Sequence, residues 1–250
     1  MRAVLHGRIG GRPAVAVIGV WDPLLSAHRE LLAELCAHAA GRGMASLAIA
    51  LDPDPVRFLW GTPDLPVYTD LATRVQQLLA CGLDGVLHVH FAARDIEAGA
   101  ADLFAVADRH VSLAELWLGS RQSLGRMEAG NFTTIERLAT ERGVRLNILP
   151  FRRLETRAVR ECLRAGRVAE AATLVGQPPI QRRPRSGALR LAAWWPGLYR
   201  AVPVRHPACA ADGEPLTLRL VKEARRLPRL EWPDPGIEYL AFVGGPGDEQ

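Results

Sequence analysis

Asp22 and His28 lie in one short stretch, Gly19-Val-Trp-Asp-Pro-Leu-Leu-Ser-Ala-His28. The apolar run Ala14-Val-Ala-Val-Ile-Gly-Val20 precedes it, and the helical pattern Glu30-Leu-Leu-Ala-Glu-Leu-Cys-Ala-His38 follows. A strand, a loop and a helix in that order bring a helix N-terminus to a ligand. If Ser26 caps the helix, His28 takes its second position, beside backbone amides that have no partner within the helix. Those amides, the helix dipole and an imidazole donor together favour a phosphate. On the residues alone a second reading stays open, in which His28 is an ordinary helix residue and Asp22 a turn acid.

Other groups carry chemistry at weaker spacing. His88-Val-His90 puts two imidazoles on one face of a strand, which suits a metal only if a third ligand arrives from elsewhere. Cys36, Cys81, Cys162 and Cys209 are scattered without zinc-ligand spacing and read as reduced thiols of a cytoplasmic protein. Arg152, Arg153, Arg157 and Arg160 form an anion site or a solubilising cluster. Trp194-Trp195 either stack on a planar ligand or fill a core. Lys222-Glu-Ala-Arg-Arg226 reads as a charged turn. Gln181-Arg-Arg-Pro-Arg185 has no interleaved aromatic residues, so it reads as a solvated linker and no nucleic-acid partner is expected.

The elements that position these residues follow from periodicity. Apolar runs at Ala14–Val20, Ser46–Leu51, Gly85–Val89, Leu113–Leu118 and Val144–Leu149 have the length and composition of strands buried on both faces. Between them, apolar residues recur at helical spacing: Leu31, Leu32, Leu35 and Ala39; Leu71, Val75, Leu78 and Leu79; Leu103, Val106 and Ala107; Phe132, Ile135, Leu138 and Ala139. Strands alternating with helices predict an α/β fold with a parallel, Rossmann-like sheet covered on both faces. Ligands of such sheets bind at the carboxyl ends of the strands, where the Gly19–His28 stretch falls.

After Val175-Gly-Gln-Pro-Pro179 the pattern changes to short segments at Leu198–Val202, Leu216–Val221 and Ile237–Val243, which predict a small antiparallel β module. The expected domains are therefore 1–179 and 180–250. The 250 residues are 48% hydrophobic and 23% charged, with a net charge of +4, a balance that suits a globular protein with a sizeable core. No apolar run approaches the roughly 20 residues that span a bilayer, so no membrane partner is expected.

Four segments, taken in order, resemble the bacterial FAD synthetase family of bifunctional riboflavin kinase/FMN adenylyltransferases. The family's Gly-Asn-Phe-Asp-Gly-Val-His-x-Gly-His is similar to Gly19–His28. Its Thr-Phe-Glu-Pro-His-Pro resembles Ala50-Leu-Asp-Pro-Asp-Pro55, followed here by Phe58. Its glycine-rich Gly-x-Asp-Phe-x-Phe-Gly-x-Gly-x-x-Gly looks like Gly119-Ser-Arg-Gln-Ser-Leu-Gly125-Arg-Met-Glu-Ala-Gly130-Asn131. Its Ser-Ser-Thr-x-Ile-Arg, with the helix after it, resembles Glu155-Thr-Arg-Ala-Val-Arg160 and Gly166-Arg-Val-Ala-Glu-Ala171.

The resemblance implies adenylyl transfer from ATP, with Mg²⁺, to FMN, giving FAD and pyrophosphate. It implies catalytic roles for His28, Arg160 and Asp22, the last orienting the loop or holding a metal-bound water. Nucleotide contacts would come from Gly19, His28, Gly119, Gly125, Thr156 and Arg160. Asp52, Pro53, Phe58, Gly130 and Asn131 would meet the flavin. It implies no metal ligand set on the protein and leaves the oligomeric state open.

The departures are specific. The family's first histidine is Leu25 here, its following glycine is Ala27, and the glycine after the aspartate is Pro23. Two aromatic positions of the glycine-rich loop hold Gln122 and Leu124. Gly197-Leu-Tyr-Arg-Ala-Val202 resembles a strand of the riboflavin kinase barrel, but the kinase signature Gly-x-Pro-Thr-Ala-Asn is missing and the chain has no Pro-Thr pair. A reduced module without kinase activity is expected. Two alternatives remain: a flavin- or nucleotide-binding homologue without turnover, and an enzyme retuned to a non-flavin substrate.

Overall fold

A computed structural model of the chain describes residues 1–55, 58, 65–95, 97–120, 122–124, 131–150, 156–184, 188–190, 194, 196–207, 211, 213–221 and 229–248. The chain packs into two units. The first is Met1–Trp21, His28–Pro63 and Leu78–Arg153; the second is Asp22–Ala27, Asp64–Gln77 and Leu154–Gln250.

The first unit holds a six-stranded sheet. Its strands are β1 (Arg2–Gly7), β2 (Ala14–Gly19), β3 (Ala45–Asp52), β4 (Gly85–His90), β5 (Leu113–Gly119) and β6 (Arg145–Leu149), in the order β1-β4-β3-β2-β5-β6. All neighbours run parallel except β1, which adds antiparallel to β4 with Val4 opposite His88. The five predicted strands are present within a residue or two of their expected ends. β1 is an addition: its burial alternates rather than running unbroken, as befits an edge. At the other edge β6 keeps Arg145 and Asn147 exposed, so burial on both faces holds only for the inner strands.

Helices cover both faces. On one face Ile18, Leu47, Ile49, Leu87, Leu116 and Leu118 pack with α3 (Ala100–Asp108) and α4 (Phe132–Glu141), which contribute Leu103, Phe104, Ile135 and Leu138. On the other lies α1 (Ser26–Gly41), which buries Leu32, Leu35 and Ala39. α1 also brings His38 Nε2 to 2.7 Å from the buried Glu115 carboxylate on β5, which accepts from Arg42 and Arg145 as well. Phe132, predicted as part of an apolar stripe, is exposed at the start of α4.

The second unit contains α5 (Thr156–Arg164), α6 (Val168–Val175) and an antiparallel sheet. That sheet comprises β7 (Ile180–Arg182), β8 (Ala188–Arg190), β9 (Gly197–Val204), β10 (Leu216–Val221), β11 (Arg229–Glu231) and β12 (Tyr239–Gly244), in the order β7-β12-β9-β10-β11-β8. The three predicted C-terminal strands are β9, β10 and β12. The stretch read as a linker instead opens with β7. Ile180 and Gln181 are buried, Gln181 donates to the Tyr68 carbonyl, and Arg182 pairs with Glu238. The core joins Tyr68, Val159, Leu163 and Val168 to Trp194, Tyr199 and Phe242. α2 (Leu71–Ala80) begins among the residues of this unit. Among the described residues no helix is long and apolar enough to cross a membrane.

Candidate active site

The chain leaves β2 for β3 and β4 on one side, then crosses to β5 on the other. The order therefore reverses between β2 and β5, the place in such a sheet where ligands generally bind. The paired register of the two strands runs to Val17 opposite Trp117, and Gly19 and Gly119 are their last residues.

Trp21 dominates the first of these ends. Its φ of 59° is the one positive value among the described non-glycine residues. A left-handed conformation costs such a residue about 1–2 kcal/mol unless its surroundings impose it. Here the indole N–H donates to the Ile49 carbonyl at 3.1 Å, and the ring is 4% exposed. A Cβ on Gly19 would stand 3.0 Å from the indole carbon Cε2, so a larger residue there would have to push the buried tryptophan aside. The His28 ring meets the same indole edge-on, with centroids 5.4 Å apart. Ser26 is the first residue of α1 rather than its cap, which moves His28 to the third position, still within the turn whose amides lack helical partners.

Gln122 closes the second end. Its backbone N–H donates to the Gly119 carbonyl at 2.8 Å. Its side-chain Oε1 accepts from the Gly119 N–H at 3.3 Å while Nε2 donates to the Ile18 carbonyl at 3.1 Å. One carboxamide thus bridges the ends of the two strands. Sequence reasoning missed both Trp21 and Gln122 as site residues. The only signal was a polar residue at a position where the family has an aromatic one.

Asp52 ends β3, and its carbonyl accepts from Phe91 N–H at 3.0 Å. Pro53 follows through a cis peptide bond and is half-buried. Phe58 is half-buried with its ring 5.8 Å from that of Phe91, so Asp52, Pro53 and Phe58 gather at the carboxyl ends of β3 and β4. Asn131 caps α4: its Oδ1 accepts from Thr134 N–H at 2.8 Å. Gly125 and Gly130 lie outside the described residues, as do Arg152, Arg153, Trp195, Cys209 and 222–226.

The remaining site residues belong to the second unit and are described within it. Asp22 is buried, and its carboxylate accepts from Tyr68 N–H at 3.0 Å, Thr69 N–H at 2.9 Å and the Thr69 hydroxyl at 3.2 Å. Burial pushes the Tyr68 hydroxyl pKa far up, the Asp22 charge adds to the shift, and the hydroxyl donates to the Gln177 carbonyl. Leu25 packs in the same core, with Tyr68 and Val159 among its members. Thr156 and Arg160 are both half-buried and lie one turn apart on one face of α5, while the exposed Arg157 pairs with Glu161. Trp194 is a core residue, with its ring against Tyr199 and Phe242 and its N–H on the Val67 carbonyl.

His88 and His90 lie with ring centroids 6.4 Å apart. Among the described residues no three His, Cys, Asp or Glu side chains are grouped to hold a metal. Cys36, Cys81 and Cys162 are unbridged.

The fold is shared with a crystal structure described as a macrolide-efflux protein from Streptococcus pneumoniae. The TM-score is 0.64, covering 93% of this chain and 85% of that one; at 17% identity the likeness shows the fold alone. The chain is 26% identical over 171 residues to the bifunctional riboflavin kinase/FMN adenylyltransferase of Escherichia coli K12, and to the same extent to that of Shigella flexneri. Those alignments cover 66% of this chain and 54% of each relative, so the match spans about half the relatives' length. The family model for FAD synthetase matches residues 10–161, a span that takes in β2, the loop to α1, β5 and Arg160. With more than half of its length so matched, the chain belongs to the FAD synthetase family.

Proposed function

We propose that this chain transfers the adenylyl group of ATP to FMN. An oxygen of the FMN phosphate attacks the α-phosphorus of ATP, the bond to the bridging oxygen of the β-phosphate breaks, and FAD and pyrophosphate leave. No protein nucleophile is needed, so the protein's share is positioning and charge stabilisation. The observation that carries this reading is His28 in the first turn of α1, at the carboxyl end of β2, inside the span matched by the family model.

In this reading the amides of that turn and the His28 ring N–H hydrogen-bond the oxygens that gain charge, and Thr156 and Arg160 bind the triphosphate. Asp52, Pro53 and Phe58 bound the acceptor side. Asp22 holds its loop to Tyr68 and Thr69, and its oxygens are already engaged by three donors. Mg²⁺ enters as part of the MgATP substrate, held by its phosphates, and no step is routed through a protein-bound ion. Residues 1–179 carry the transfer and 180–250 form the module related to riboflavin kinase, without kinase activity. The unbridged thiols favour the cytoplasm as the setting.

The test is direct. Purified chain with ATP, Mg²⁺ and FMN should release FAD and pyrophosphate together. His28→Ala should lower turnover about 100- to 1000-fold, the usual worth of one donor to a developing charge, with the melting temperature unchanged. A second reading, a flavin or nucleotide binder without turnover, is favoured by one observation: Leu25, at the family's first histidine, is buried in an apolar core. Tight binding with no product would decide for it. Pyrophosphate released only with a different phosphorylated acceptor would mark a retuned enzyme.

A further inference from the structure

Beyond the register pair Val17–Trp117, two backbone groups lie at the ends of β2 and β5: the Gly119 N–H, a donor, and the Ile18 C=O, an acceptor. Both are taken by the Gln122 carboxamide, which presents an acceptor and a donor side by side. Among the described residues, a Cβ added to Gly119 would meet, within 4 Å, only Gln122 Oε1 at 3.7 Å and Gln122 Cβ at 3.8 Å. Among the described residues, the group nearest that strand end is therefore one half-buried side chain.

The acceptor–donor edge of a carboxamide is chemically the edge of a nitrogen heterocycle. In adenine, N1 accepts while the N6 amino group donates. In an isoalloxazine, O4 accepts while N3–H donates. Both present the two functions at nearly the spacing of a carboxamide.

We infer that Gln122 is a built-in placeholder for a heterocyclic ligand: its carboxamide occupies the Gly119 N–H and Ile18 C=O that read the ligand's acceptor–donor edge, and the ligand displaces it. The inference rests on the adenylyl-transfer reading only for the identity of the two candidate heterocycles. It adds to that reading a recognition pair made of backbone, which a sequence motif does not display. It also assigns a function to the departure from aromatic to glutamine. A side chain that competes for the pair sets a threshold on affinity, and that threshold rises or falls with the residue at 122.

The experiment is calorimetric binding of AMP and of FMN, separately and without turnover, to the wild-type chain and to Gln122→Met. Methionine keeps the length and volume of glutamine but satisfies neither backbone group. One of the two probes should bind Gln122→Met about tenfold more tightly than wild type, the effect of removing one to two net competing hydrogen bonds. Its analogue with the donor blocked, N6,N6-dimethyl-AMP or 3-methyl-FMN, should show no gain. The probe that gains identifies the heterocycle.

In the wild-type chain the side-chain amide proton signals of Gln122 should move to solvent-like shifts on saturation with that probe. This readout needs no variant and holds if Gln122→Met folds poorly. Unchanged or weaker binding of both probes by Gln122→Met, an equal gain by the methylated analogue, or amide signals that stay put with probe bound each overturn the inference, as does failure of both probes to bind either form. FAD formation by the wild type with unchanged Gln122→Met binding sinks the placeholder and leaves adenylyl transfer standing. A tightened probe with no FAD formed does the reverse.

Discussion

At the scale of single residues, chemistry and scaffolding compete for the same side chains, and Asp22 is a place where the two can be separated. A carboxylate that is to position a metal-bound water needs lone pairs to spare and access to solvent. Asp22 offers little of either, since Tyr68 N–H, Thr69 N–H and the Thr69 hydroxyl take three of its roughly four lone-pair positions in a buried setting. Asp22→Ala strands two buried backbone donors, each costing about 1–3 kcal/mol. Urea unfolding should accordingly show a loss of about 2–4 kcal/mol, with Asp22→Asn losing less because its oxygen still accepts. An Asp22→Asn protein of wild-type stability with turnover abolished would instead put the carboxylate at the reacting phosphates. The strand, loop and helix around residues 19, 22 and 28 were legible in the sequence. The close approach of the Trp21 indole to Gly19 was not, because nothing in one sequence shows Trp21 turning through a left-handed φ.

At the scale of elements, the loop between β2 and α1 belongs to two environments. Gly19, Trp21 and His28 are part of the first unit, while residues 22–27 between them pack with the second. Leu25 is 5% exposed in an apolar core with Tyr68, Val159 and Cys162, where the family's pattern has a histidine. Restoring the motif should therefore fail as a repair. Leu25→His removes apolar packing and buries an imidazole without a partner, at a cost of about 2–4 kcal/mol. Its urea midpoint should fall with no gain in FAD formed. A rise in turnover at unchanged stability would mean that position 25 faces the substrates.

The elements were legible where burial is two-sided: β2, β3, β4 and β5 announce themselves as unbroken apolar runs. Edge and polar strands did not. β1 alternates, and β7 is hidden among proline and arginine, because its burial comes from Tyr68, Val204 and Tyr239 far away in sequence.

At the scale of the whole chain, a division by function at residue 179 is not a division in packing. The core of the second unit draws Leu25, Tyr68, Val159, Leu163 and Val168 from before that point, and Trp194, Tyr199, Leu240 and Phe242 from after it. Polar ties cross it too: Trp194 N–H to the Val67 carbonyl, Gln181 to the Tyr68 carbonyl, and the Asp248 carboxylate to Ala169 N–H in the first turn of α6. Burying a Val, Leu or Tyr side chain is worth about 1.5–3 kcal/mol. The five apolar residues left bare by a cut at 179 therefore represent free energy comparable to the about 5–15 kcal/mol that holds a whole domain folded. A chain of residues 1–179 should bind a hydrophobic dye, unfold without the cooperative urea transition of the full chain, and make no FAD even where the full chain does. Phe242→Ala in the full chain should weaken the same core by about 3–5 kcal/mol while leaving all the nucleotide-binding candidates in place. If instead the fragment unfolded at the full chain's midpoint and turned over ATP and FMN, the C-terminal module would be an appendage to a self-sufficient transferase rather than part of its support.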